Sequence, residues 1–380
     1  MEPAALCAEL VRLPTALPHG TGEIIARCAQ FLAPAGFRLA CQFETAPGIR
    51  HALLERPGQG PALLFDAHVD TVPVGDEAQW SYPPLAGEIA GGKVWGRGSS
   101  DDKGPLAAAL VALAQTSSPR HLLLSLCGDE ETDMLGMQEM VRHPLVQAAS
   151  QAVVLEPSDL VPVHAHKGNA RVRVEVRGRA CHASRPWEGQ NAIEHKGRLI
   201  AALQDWFARE EAGRRLPEFG DDPPTLAVTR EQTPNPAYNV IPDHALFWLN
   251  YRPLPLSHRL PEKGAGEAVR TPHDPFAALS DRILAIAQDL GIQGMVEVEF
   301  AVPPFLVPAD SPLPVALARL SGNAPAWVAY GTHAGYLAGH IRDLAVFGPG
   351  RISVSHCRNE CVEVGFLQQA AQVLSGLLEG

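Results

Sequence analysis

The chain has 380 residues, 46% of them hydrophobic, with 31 Lys and Arg against 42 Asp and Glu, a formal net charge of -11. That length exceeds one ordinary hydrophobic core and predicts two domains. The acidic balance argues against nucleic acid or an anionic membrane as main partner and favours small molecules.

The start, MEPAALCAELVRLP, lacks a basic segment followed by an apolar core, and no later run is long enough to cross a bilayer. The expectation is a cytoplasmic protein. Seven scattered cysteines, Cys7, Cys28, Cys41, Cys127, Cys181, Cys357 and Cys361, read as free thiols of a reducing compartment. Cys357 and Cys361 flank no second pair, which argues against a structural zinc knot.

Taken in chain order, TGEIIARCAQFLAPAG predicts a helix with Thr21 as its N-cap and Gly36 as its stop. Three continuous apolar runs follow: PALLF before Asp66, HLLLSLC at 121–127 and AVVLE at 152–156. Such runs are strands buried on both faces. Between the first two, DKGPLAAALVALAQ after Asp101 predicts another helix. Strands alternating with helices give a mostly parallel sheet flanked by helices, an α/β domain.

From about residue 168 the pattern changes. ARVRVEVRG alternates, with Val172, Val174 and Val176 on one face and Arg171, Arg173, Glu175 and Arg177 on a face expected to meet water. A helix over 190–211 carries the stripe Ile193, Leu199, Ile200, Leu203, Trp206 and Phe207. Strands near 225–231 and 244–252, a helix over 274–290 and a strand at 295–300 complete a β-α-β-β-α-β order, the ferredoxin-like α+β motif. After about 304 the buried style returns with DLAVFG at 343–348 and a last helix, FLQQAAQVLSGLL. The expected organisation is therefore one domain of residues 1–167 and 304–380, interrupted by an inserted domain of residues 168–303.

In open parallel sheets, ligands bind at the carboxyl ends of the strands. There PALLF runs into His68 and Asp70, HLLLSLC into Asp129, Glu130 and Glu131, AVVL into Glu156, and LAVFGPGRISVS into His356. His68 and Asp70 share a strand face, which suits a metal ligand with its orienting carboxylate and equally a solvated hydrogen-bonded pair. Asp101 and Asp102 open a helix in GRGSSDDKG. This is not a phosphate loop: a third glycine is missing, Lys103 is not followed by Ser or Thr, and paired acids repel phosphate. Carboxylates converging on one sheet edge need a strong cation. Two histidines, with Asp101, Glu131 and Glu156, suit two divalent ions of the zinc, cobalt or manganese kind, one carboxylate being shared. Glu130 is then left as a general base. His164 and His166 in VPVHAHKG read as structural or hinge residues, and His19, His121, His143 and His258 as surface or core residues.

The stretches HVDTVP, GRGSSDDKG, GDEET, LEPSDL and SVSHCRNE, in that order along nearly the whole chain, resemble the di-zinc amidohydrolases that include acetylornithine deacetylase, succinyl-diaminopimelate desuccinylase, aminoacylases and some dipeptidases and carboxypeptidases. The resemblance implies that His68 and Glu156 hold one metal and Glu131 and His356 the other, with Asp101 bridging. It makes Asp70 the group that orients His68 and Glu130 the catalytic base. It implies that the inserted domain forms a homodimer and acts as a lid. It also implies that His182 in GRACHASRP stabilises the oxyanion in the partner's active site. Asn239 in YNVIP, Arg252 in FWLNYRPLP, and Gly331 and Thr332 in AYGTHAG match positions that hold the substrate's carboxylate; a structural ion pair is the alternative for Arg252. His333 departs from the pattern, since relatives often carry an acid there, and this weakens a claim for ornithine.

LEPSDLVPVHAHKG is most similar to the acetylornithine deacetylase branch. The expected activity is metal-dependent hydrolysis of the amide of an N-acyl-amino acid. A dipeptidase, carboxypeptidase or desuccinylase is the alternative within the family, and a non-catalytic scaffold the alternative outside it.

Overall fold

The computed structural model describes residues 1–235, 237–255 and 274–380, so His258 lies outside the described residues. The chain divides into two compact units, one made of Met1–Ala165, Leu306–Val328 and Thr332–Gly380, the other of His166–Phe305 and Ala329–Gly331.

In the first unit four central strands run parallel, in the order Arg120–Cys127, Gln59–His68, Gln151–Val154 and Asp343–Val346. Leu63, Leu64, Phe65, Leu122, Leu123, Leu124 and Val153 are wholly buried, as strands covered on both faces require. The expected mostly parallel sheet is thus present. It is extended at one edge by an antiparallel hairpin, Arg38–Ala46 and Ile49–Arg56, which was not expected.

The helix Lys103–Gln115 is buried at every residue from Lys103 to Leu113. A helix apolar all round belongs inside a layer. This one shares a core with Leu6 and Leu10 of the helix Pro3–Val11 and Leu367 and Leu374 of the helix Val364–Glu379. Each such leucine contributes about 1.5–3 kcal/mol by leaving water, so the N-terminus of this helix is anchored. Thr21 does stand at the N-cap of the helix Gly22–Leu32, but its hydroxyl caps nothing there. It donates to the Arg50 carbonyl at 2.9 Å and accepts the Arg50 N–H at 2.8 Å, tying the helix to the hairpin. Gly36, at φ +86°, ends the following turn in the left-handed region, where a glycine avoids the side-chain clash.

The second unit is a four-stranded antiparallel sheet in the order Thr225–Gln232, His244–Arg252, Asn169–Arg177 and Gln293–Val302. The helices Ala192–Glu210 and Pro275–Asp289 supply Leu199, Leu203, Leu279 and Ile283 to a core shared with Val172, Val174, Val176 and Phe247. Two expectations fail in this unit. Glu175 does not face water; it is 4% exposed, enclosed by Arg173 at 3.1 Å and Arg177 at 2.5 Å, whose long side chains fold over it. Ile193 is 44% exposed, because it lies in the first turn of its helix, before the stripe reaches the sheet.

All seven cysteines are unpaired. No described helix is long and apolar enough to cross a membrane.

Candidate metal centre

Because the central strands are parallel and in register, their carboxyl ends fall level. His68 lies opposite Cys127; Glu130 and Glu131 follow that strand, and Glu156 follows Gln151–Val154 by two residues. Asp101 leads into the buried helix Lys103–Gln115. His356 comes from the loop after Asp343–Val346 and has φ +62°, a left-handed conformation uncommon outside glycine.

These residues form two overlapping groups. Donor atoms of His68, Asp101 and Glu156 lie within 4.8 Å of one another, and so do those of Asp101, Glu131 and His356. Asp101 belongs to both. His68 Nε2 donates to Asp101 Oδ1 at 2.9 Å, while His356 Nε2 donates to Glu131 Oε1 at 2.8 Å and lies 3.4 Å from Asp101 Oδ2. On its other nitrogen, His68 Nδ1 meets the Asp70 carbonyl at 3.2 Å and the Asp70 carboxylate at 3.5 Å. That carboxylate also accepts the backbone N–H groups of Glu130 at 3.2 Å and Glu131 at 3.0 Å, so Asp70 joins two strand ends.

Burial works against charge on His68, but hydrogen bonds to Asp101 and Asp70 outweigh it and hold the imidazole well above its usual pKa. His356 is raised to about 10 by its hydrogen bonds to Asp101 and Glu131. Burial pushes Asp101 upward, yet the two histidines outweigh it and hold the carboxyl below the usual range. Glu130 is pushed up to about 8, first by desolvation and then by Glu131 and Asp101. Glu156 is raised well above its usual value by burial and by the charges of Asp101 and Glu130.

The donor set fits a pair of hard-to-borderline divalent cations: two imidazoles and three carboxylates, one carboxylate common to both groups. A second observation agrees. Both carboxyl oxygens of Asp102 are buried without a hydrogen-bond partner, an arrangement that is costly unless positive charge lies close by.

A model of peptidase family M20/M25/M40 matches residues 64–380. The chain belongs to that family. Among relatives of this M20-family hydrolase, acetylornithine deacetylase of Myxococcus xanthus is 31% identical over 382 aligned positions, covering 98% of this chain and 95% of that one. Succinyl-diaminopimelate desuccinylase of Cereibacter sphaeroides is 32% identical over 266 positions, 66% of this chain and 68% of that one. Two solved structures share the fold. An M20 metallo-carboxypeptidase of Sulfolobus solfataricus aligns with a TM-score of 0.75 at 17% identity, over 100% of this chain and 99% of that one. A dinuclear metal-binding M20 peptidase of Bacillus subtilis aligns with a TM-score of 0.65 at 16% identity, over 99% of this chain and 96% of that one.

In the second unit of the M20-family chain, His182 and Asn239 are neighbours. His182 pairs with Val240 in a two-stranded ribbon, and the Ala183 N–H donates to the Asn239 carbonyl at 2.9 Å. His182 is exposed, and its Nδ1 accepts the Ser184 N–H at 3.1 Å. That bond puts the imidazole proton on Nε2. Arg252, half-buried, donates through Nε to Asn250 Oδ1 at 3.1 Å, and Asn250 donates to Asn169 Oδ1 at 3.2 Å. Gly331 lies against Asn169 and Val302, where an added Cβ would be 3.2 Å from a Val302 methyl. Arg252 and Gly331 therefore belong to one end of that sheet. In the first unit, Thr332 is fully buried and its hydroxyl accepts the Ala334 N–H at 3.1 Å. His164 is structural, donating from Nδ1 to the Val307 carbonyl at 2.7 Å.

Three buried polar partnerships have no counterpart in the motifs read from the sequence. His333 is buried and donates from Nδ1 to Asp66 Oδ2 at 2.8 Å, with Ser125 on the other Asp66 oxygen at 2.5 Å. Asp129 binds the Gly136 N–H and the Thr45 hydroxyl, and lies 3.8 Å from His51. Glu360 pairs with Arg97 at 2.6 Å. All three join segments far apart in the chain, which no local motif announces.

Proposed function

We propose that this M20-family hydrolase cleaves the amide of an N-acyl-amino acid, releasing the acyl group as a carboxylate and the amino acid as a free amine. The observation that carries the reading is Asp101, shared by two donor groups with Glu130 beside them. The near full-length similarity to an acetylornithine deacetylase supports deacylation over peptide cleavage.

His68 and Glu156 would hold one ion in this reading and Glu131 and His356 the other, with Asp101 common to both; zinc is the assigned metal, with cobalt or manganese able to replace it. Two such ions supply Lewis acidity and a water that ionises near neutral pH. Asp70 fixes the His68 ring through Nδ1. Glu130 receives the proton from the attacking water and delivers it to the departing amine. His182 of the partner subunit, with its proton on Nε2, would donate to the oxyanion as the carbonyl carbon becomes tetrahedral. Asn239, Arg252, Gly331 and Thr332 receive the substrate's carboxylate, Arg252 through its planar fork.

The reading extends to assembly and place. The inserted unit is assigned as lid and homodimer interface, supported by Met295 and Val298, which are exposed on its edge strand Gln293–Val302. Seven unpaired thiols support a cytoplasmic enzyme.

The experiment is a substrate panel with added zinc or cobalt: N-acetyl-ornithine, N-acetyl-citrulline, N-succinyl-diaminopimelate and simple dipeptides. Hydrolysis of an acylated amino acid ahead of every dipeptide is expected. Turnover of dipeptides alone would replace the proposal with a peptidase, and tight metal binding without any hydrolysis would replace it with a scaffold.

A further inference from the structure

Asp101 has a short side chain with two rotatable bonds, so the position of its carboxylate is set almost entirely by its backbone. That backbone is gripped by one residue. Glu360 Oε1 accepts the N–H groups of both Ser100, at 2.9 Å, and Asp101, at 3.1 Å. Its other oxygen accepts Arg97 Nη1 at 2.6 Å, and the Glu360 carbonyl accepts the Gly96 N–H at 2.9 Å. Glu360 is wholly buried and Arg97 is 4% exposed. Arg97 is itself placed by the Pro73 carbonyl at 3.3 Å and by the Trp80 ring, 5.2 Å from the guanidinium carbon.

The same grip spans the other side of the centre. Ser100 Oγ accepts the Arg351 N–H at 3.1 Å, so the stretch from Arg351 to Glu360, which contains His356, is fastened to the Asp101 loop at both ends. We propose that Glu360 is a positioning residue for the metal centre, holding the Asp101 carboxylate where it faces both ion positions and fixing its spacing from His356. This rests on Asp101 being the shared ligand. Nothing about Glu360 needs to touch a metal or the substrate; it acts through the backbone of Asp101.

The chemistry of the grip dictates the test. Three donors converge on Glu360, and only a carboxylate has acceptor atoms at both ends of the fork. In Glu360→Gln, either the amide NH2 faces Arg97 or it faces the two backbone N–H groups, so one side of the grip is broken in either orientation. Glu360→Asp keeps the charge for Arg97 but withdraws the carboxylate by about one C–C bond, roughly 1.5 Å.

Cobalt(II) binding to the metal-stripped full-length chain is measured by titration calorimetry and by the visible absorption of the bound ion, beside the melting temperature of the metal-free protein. Wild type is expected to take two equivalents. Both variants are expected to bind cobalt about 10–100-fold more weakly, with an altered visible band. If Glu360→Gln does not fold, Glu360→Asp decides alone. Wild-type cobalt affinity and an unchanged band in a folded variant would overturn the positioning role, whatever happened to its melting temperature. Failure of the wild type to bind two ions would overturn the shared-ligand reading, and this inference with it.

Discussion

The imidazole of His333 and the carboxylate of Asp66, 267 positions apart in the chain, meet at 2.8 Å in a site where both are almost wholly buried. Burial opposes charge on His333, but the Asp66 charge and hydrogen bond outweigh it and raise its pKa. Asp66→Ala strands that imidazole in the core. A loss of about 3–5 kcal/mol in unfolding free energy is expected, read from urea denaturation of the metal-free protein. A loss below about 1 kcal/mol would show that the pair contributes little.

Glu130→Gln keeps the shape of the side chain and removes its basicity. Turnover is expected to fall about 10²–10⁴-fold while the protein retains its metal. Metal analysis beside initial rates checks both halves, and near wild-type turnover would contradict the role given to Glu130.

Asp101→Ala removes a carboxylate donor from both groups at once. The variant is expected to lose most bound metal and all measurable activity, whereas a chelator-treated wild type regains activity when zinc or cobalt is restored. A variant that still held two ions would place the shared ligand elsewhere.

His68 and His356 have pKa values raised by their carboxylate partners, His356 to about 10. The sign follows from that direction. In metal-free protein the stability of these pairs is fully present below the ordinary histidine value and is lost as pH rises through the folded values. A metal must displace the same protons, so affinity strengthens with pH and protons are released on binding. Calorimetry in buffers of different ionisation enthalpy, between pH 6 and 8, measures that release; heats independent of the buffer would contradict it.

Arg252→Ala is expected to raise KM for an N-acyl-amino acid about 10–100-fold, the loss of one charge-assisted hydrogen-bonded contact of about 1.5–3 kcal/mol. A purely structural arginine would instead lower the melting temperature and leave KM unchanged.

The strand ends that gather the candidate donors were legible because parallel strands advertise themselves as apolar runs, and the polar residue closing each run can only emerge at the sheet edge. The places of His68, Glu131 and Glu156 at the strand ends were read in this way. The hairpin Arg38–Arg56 was not, since its first strand, Arg38–Ala46, buries no residue fully and begins with two exposed and then two half-buried positions, which blurs the period of two. Glu175 was misread because alternation says which way a side chain points, not whether neighbouring arginines will close over it. Glu360 stood inside the motif SVSHCRNE, yet its grip on Asp101 spans 259 positions. Such a contact leaves no trace in local spacing; it emerges only when two loops fold against each other.

The His164 bond to Val307 joins the strand that leads away from the first unit to the segment that returns to it. A clasp at that point turns the stretch 167–304 into a long excursion between two stitched ends. Genetic replacement of that excursion, by a tight turn or by a cousin's equivalent, can therefore be attempted without unravelling the sheet on which His68 and Glu156 stand.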